Sequence, residues 1–139
     1  MPRSPFVTLQ LPARPDVLAP DGSEIRRLPG PTRRQASLVH CRLAPGQVSK
    51  AIRHHTVEEV WFVTSGAGQL WRSLEGTDTV TELRPGVAVD IPLGAHFQFR
   101  AEGGEPLEIV IATFPPWPGA EEAISVPGHW APGPSSPDR

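Results

Sequence analysis

The residues best equipped for chemistry lie in the run RHHTVEE, residues 53 to 59, the densest polar cluster of a 139-residue chain. His54 and Glu59 flank four residues that read as a strand bend, a spacing that can bring an imidazole and a carboxylate to one inward surface. Such a pair can bind a divalent metal or exchange a proton, with His54 as general base and Glu59 as orienting carboxylate. By strand parity His55 and Glu58 face the other way and read as solvated. His40 falls on an earlier strand and reads as structural. His129 lies in a proline-rich tail and has no role in this reading. Cys41 is the single cysteine, which excludes an intrachain disulfide and a cysteine-based zinc knuckle and fits a small buried hydrophobe. No G-x-S-x-G or cysteine-centred nucleophile signature occurs.

Those residues need strands to position them, and the middle of the chain supplies strand patterns. From Ala36 onward, short runs of strand-forming residues are punctuated by turn residues at near-regular intervals: Ser37 to Leu43, Val48 to His54, Glu59 to Thr64, Gln69 to Ser73, Thr79 to Leu83, Val87 to Ile91, Phe97 to Ala101 and Leu107 to Phe114. This is the pattern of an all-β sandwich or barrel, and no helical period competes with it. The runs VWFV and EIVIA are apolar on both faces, which implies that the outside of the barrel is covered by another sheet layer or by a second subunit.

Of the 18 prolines, only Pro85, Pro92 and Pro106 fall between residues 46 and 114. The chain therefore divides into an N-terminal arm (1–35), a barrel (36–114) and a Pro-rich C-terminal arm (115–139) whose last residues are expected to be disordered. Phe6 to Leu11 alternates like an edge strand, and edge strands invite a second copy of the chain, so a homodimer is expected. The tail carries Trp117, Ile124, Val126 and Trp130 and is expected to lie extended on apolar surface. A net charge of -2 with scattered arginines leaves no electrostatic footprint for nucleic acid or an anionic membrane. With no apolar run of membrane-spanning length and prolines breaking any leader-like stretch, a cytoplasmic protein is expected.

At His54 and Glu59 the sequence resembles the cupin superfamily, whose first motif is G-x5-H-x-H-x(3,4)-E-x6-G and whose second is G-x5-P-x-G-x2-H-x3-N. The first fits Gly46, His54, Glu59 and Gly66 in spacing, with Ile52 where the family has its first histidine. The second fits Gly86, Pro92 and Gly94, with Phe97 in place of the last histidine, Ala101 in place of the asparagine, and His96 one residue early. The resemblance covers residues 36 to 114 and implies a double-stranded β-helix, or jelly-roll, barrel.

The family's usual metal site of three histidines and one glutamate keeps only His54 and Glu59 in register here. Family register turns Phe97 inward and His96 outward; a turn shortened by one residue reverses this and gathers His54, Glu59 and His96 as metal ligands. Replacement of ligands by Ile52 and Phe97 makes the interior more apolar, and Trp61, Val63 and Phe99 extend that wall as ligand-binding residues, whereas Trp71 can face either way. The leading expectation is a small cupin holding a small organic molecule in its barrel, with His54 and Glu59 as polar anchors and room for a weakly held divalent metal (Fe, Mn, Ni or Zn). One alternative is an oxygenase- or isomerase-type enzyme using the three-ligand set, or a metal-free version using the His54 and Glu59 pair. A second is a structural or regulatory module with a filled barrel and a working surface around Trp117 and Trp130.

Overall fold

In the computed structural model, which describes residues 7–28 and 35–134, thirteen strands and one short 3-10 turn (Ala120–Glu122) succeed one another among the described residues. The strands are β1 (Val17–Leu18), β2 (Glu24–Arg27), β3 (Ser37–Leu43), β4 (Gln47–Val48), β5 (Ile52–His54), β6 (Glu58–Ser65) and β7 (Ala67–Leu74). They continue with β8 (Thr77–Leu83), β9 (Ala88–Ile91), β10 (His96–Glu102), β11 (Leu107–Phe114), β12 (Ala123–Ser125) and β13 (Gly133–Pro134). Two antiparallel sheets result, the jelly-roll architecture expected. One has the order β1-β2-β3-β11-β6-β9. In the other, β10 pairs with β7 along one side and with β4 and β5 along the other, β8 extends the β7 edge, and β12 and β13 lie beyond β5 and β4.

Alternation sets which side chains meet between the sheets. On β6, Glu59, Trp61 and Val63 are buried while Val60 and Phe62 are exposed. On β11, Leu107, Ile109 and Ile111 point the same way. Leu70, Leu83, Ile91 and Phe99 come from the other elements, and Trp61 meets Phe99 edge to face at 4.9 Å. This packing fills one part of the barrel with large side chains. The turn between β6 and β7 depends on Gly66: its φ is +81°, and a Cβ there would overlap the Pro106 carbonyl oxygen, so only glycine suits the close approach.

Several expectations about the periphery change. Val7 to Leu11 forms no strand, and Phe6 lies outside the described residues. Instead β1 and β2 form a hairpin that pairs with β3. Pro12 and Pro15 help explain the shift, because proline removes ladder donors. The carbonyls of Pro12 and Ala13 accept hydrogen bonds from the buried Arg26 guanidinium at 2.7 and 2.8 Å. No further sheet layer covers the outer side of β6 and β11 among the described residues: Val60 and Phe62 are 48% and 49% exposed. The run expected as one strand from Val48 to His54 is split into β4 and β5, which pair with opposite ends of β10.

The C-terminal segment is tied to the barrel at defined points. β12 pairs with β5, and farther on Gln98 Oε1 accepts bonds from the backbone N–H groups of His129 and Trp130. Gln98 Nε2 donates to the carbonyls of Ser49 and Trp130. Trp71 faces the tail, stacked on His129 at 5.8 Å, and the Arg100 guanidinium lies 4.3 Å from the Trp130 ring centroid. The tail end from residue 135 lies outside the described residues.

Candidate functional site

His54 ends β5 and Glu59 is the second residue of β6, so the bend between these strands carries both. That bend is held from outside by Glu122, whose carboxylate accepts hydrogen bonds from the backbone N–H groups of Thr56 and Val57 and from the Thr56 hydroxyl. Burial raises the Glu122 carboxyl, but those bonds outweigh it and leave its pKa below the usual value. His54 and Glu59 are 3% and 7% exposed, and His54 Nε2 lies 3.8 Å from Glu59 Oε2, beyond hydrogen-bond distance. Glu59 Oε1 accepts from Trp61 Nε1 at 2.8 Å. His54 Nδ1 is buried and makes no hydrogen bond of ordinary geometry among the described residues, with the Val57 backbone close by.

Burial drives the two groups toward their neutral forms. It lowers His54 to about 4, against the attraction of the Glu122 carboxylate and of the nearby Val57 backbone. It raises Glu59 to about 8, against the Trp61 hydrogen bond and with help from the charges of Asp21 and Glu122. Around them is a cavity of about 370 Å³ between the β1–β2 hairpin, the barrel mouth and the 116–120 segment. Ile52 and Phe97 form its floor beside His54, with the His54 and Phe97 rings edge to face at 5.1 Å. Trp117 closes another side, its ring 5.3 Å from that of His54 and its backbone N–H donating to Ser37 Oγ at 3.1 Å.

The structure brings together His54, Glu59, Ile52 and Phe97, all lining the cavity. It leaves His96 out. Phe97 pairs with Ile52 and is buried, so its strand neighbour His96 faces the other side, half-buried and off the cavity wall. The shortened-turn register is therefore corrected to the family register, and His54, Glu59 and His96 do not gather as a set. Among the described residues no three His, Cys, Asp or Glu side chains converge closely enough to hold one metal ion. Trp61, Val63 and Phe99, expected as a ligand-binding wall, are packed in the core away from the cavity lining, Trp61 against the Phe97 ring. His40 pairs with Glu108 at 3.2 Å, away from the cavity lining.

Sequence reasoning missed the hairpin side of the site. Asp21, Ser23 and Ile25 line the cavity with Cys41, although residues 1–35 read as an arm. A signal was present in PDGS, residues 20–23, a turn sequence that follows the apolar Val17, Leu18 and Ala19. Asp21 Oδ1 accepts from both the N–H and the hydroxyl of Ser23, and the Lys50 N–H bonds the Asp21 carbonyl, pinning the hairpin to the barrel. Burial raises the Asp21 carboxyl above its ordinary value despite the Ser23 bonds, and burial likewise pushes up the Cys41 thiol.

The profile of the Cupin domain family matches residues 39–113. This chain is a cupin. Its fold is similar to that of solved cupin structures at low identity. A mutant of Bacillus subtilis oxalate decarboxylase superposes with a TM-score of 0.67 at 17% identity, covering 76% of this chain and 29% of that one. A structure of the same enzyme from work on its Mn(II) centres gives 0.66 at 17% identity, over 76% and 29%. A Bacillus halodurans protein gives 0.57 at 18% identity, covering 62% of this cupin and 67% of that chain. The cupin thus spans less than a third of the length of the oxalate decarboxylase it matches. No helix among its described residues is long and apolar enough to cross a membrane.

Proposed function

We propose that this cupin binds a small organic molecule in the cavity at the mouth of its barrel, with His54 and Glu59 as polar anchors. The observation that carries the reading is the cavity itself. At about 370 Å³, apolar walls surround a buried imidazole nitrogen with no hydrogen bond of ordinary geometry and a carboxyl oxygen out of hydrogen-bond reach of its neighbour. Buried polar groups left unpaired are costly, and a ligand that pairs them recovers that cost.

A divalent metal fits this donor set poorly. Ile52 and Phe97 occupy two positions where the family carries histidines and have no donor atoms, leaving His54 and Glu59, fewer than the three protein ligands usual for a catalytic metal. The metal-dependent oxygenase- or isomerase-type reading lacks its third ligand for the same reason. A second reading is favoured by the opposed shifts of the pair. At neutral pH Glu59 is protonated and His54 unprotonated, so the two can act on a bound substrate as acid and base without metal. The exposed outer face of β3, β6 and β11, with Leu38, Val60, Phe62 and Phe114, supports a homodimer formed through that face.

The test of the binding reading is a fragment screen by protein NMR on the full chain and on Ile52→Trp, which fills the cavity floor. Fragments that shift cavity resonances in the natural chain and lose them in the filled variant support it. A screen in which no fragment distinguishes the two proteins overturns it.

A further inference from the structure

The polar groups of the cavity are unevenly matched in charge. Two carboxyls, Asp21 and Glu59, line it, and no lysine does. The one arginine on its wall, Arg27, is exposed. Asp21 is close enough for its charge to act on Glu59, yet neither carboxyl is paired with a basic side chain among the ion pairs described, apart from the 3.8 Å approach of His54. A neutral imidazole adds one acceptor and one donor and no charge. His54 is 3% exposed, lines the same cavity and leaves Nδ1 without a hydrogen bond of ordinary geometry. The Phe97 and Trp117 rings line the cavity on either approach to His54, at 5.1 and 5.3 Å from its ring.

We propose that the cavity takes an organic cation, a small amine with an apolar body, whose ammonium is held by Glu59 and Asp21 beside His54 and whose body lies against Ile52, Phe97 and Trp117. This rests on the small-molecule reading above and names its ligand class. Each part of such a molecule meets what it needs. The ammonium brings donors to a site rich in acceptors, and its charge favours the ionised form of two carboxyls that burial penalises. Aromatic rings attract a desolvated cation. An anionic ligand has the reverse fate: it must be desolvated next to two acidic groups, with Arg27 out at the solvent edge. An inorganic cation gains nothing from the apolar walls and finds no three-ligand cluster among the described residues.

The experiment is a binding series matched in shape, read by isothermal titration and NMR on the full chain. Benzylamine, cyclohexylamine and hexylamine are each compared with the alcohol and the carboxylate of the same body, and Mn(II) and Zn(II) are titrated alone. The expected result is that at least one amine binds tenfold or more tightly than its alcohol. Glu59→Gln, which keeps an oxygen for Trp61, and Asp21→Asn should each cut the preference for the amine over its alcohol to threefold or less. NMR spectra establish that both variants are folded, and if one is not, the other carries the test. Alcohols or carboxylates that match or exceed the amines overturn the ligand class and leave the small-molecule reading standing. Binding of the metal ions with none of the organic probes overturns both, as does a series in which no probe binds.

Discussion

Burial moves the two titratable groups at the heart of the site in opposite directions, and the pH dependence of stability follows from the signs. Glu59, raised from 4.5 to about 8, favours the folded state while protonated; its contribution is full below the unfolded value and is lost as pH rises through about 8. His54, lowered from 6.5 to about 4, contributes fully above 6.5 and loses that contribution as pH falls through about 4. The slopes oppose one another between 4.5 and 6.5, and above 6.5 the His54 slope has ended while that of Glu59 continues. Thermal midpoints should therefore fall between pH 6.5 and 8 in the natural chain and stay flatter over that window in Glu59→Gln. An equal fall in both proteins contradicts this assignment. At the same scale, Ile52 and Phe97 are where the family's missing donors belong. The double variant Ile52→His, Phe97→His should retain about one equivalent of Mn(II) or Zn(II) through gel filtration, with the natural chain retaining much less. Elemental analysis of both proteins decides it.

Among the elements, the β5–β6 bend matters most, because its conformation sets the relation of His54 to Glu59. Its backbone donors are satisfied by the Glu122 carboxylate, more than sixty residues along the chain. Glu122→Ala should cost about 2–4 kcal/mol, as expected for losing hydrogen bonds to a charged group and leaving the buried Val57 N–H unpaired. Chemical denaturation measures the loss, and faster hydrogen exchange at Thr56 and Val57 localises it. The strands that carry the site were legible in the sequence, since alternation of the kind seen in Glu59, Trp61 and Val63 reports which side chains share a face. Gln98 shows where that signal ends. Its parity on β10 points it outward and its type suits solvent, yet it is fully buried because the tail lies over it. A partner remote in sequence leaves no local periodicity to read. The β1–β2 hairpin was missed for a related reason: it is short, and it is held by bonds to remote segments, from the Lys50 N–H to the Asp21 carbonyl and from Arg26 to the Pro12 carbonyl.

For the whole molecule, the apolar outer face is the feature that a single chain does not explain. Val60 and Phe62 on β6 stand opposite Ala112 and Val110 on β11, and Leu38 on β3 extends the same surface. Two copies joined there should sediment at twice the 15.0 kDa chain mass, and Phe62→Lys should return them to single chains while leaving the barrel folded. A natural chain that sediments as a monomer at high micromolar concentration removes the homodimer. The sequence alone determined the barrel and the His54 and Glu59 pair, because alternation, turn glycines and motif spacing are local properties of the chain. It also marked the absence of donors at positions 52 and 97, because identity at a position needs no coordinates. Only the tertiary structure decided that His96 faces away, since one residue of register reverses a strand's two faces. Tertiary structure likewise decided that Trp61, Val63 and Phe99 fill the core and that Asp21 and Trp117 complete the cavity. Those outcomes depend on which segments far apart in sequence come to pack against the barrel mouth, and the competition among such contacts is settled only when the whole chain has folded.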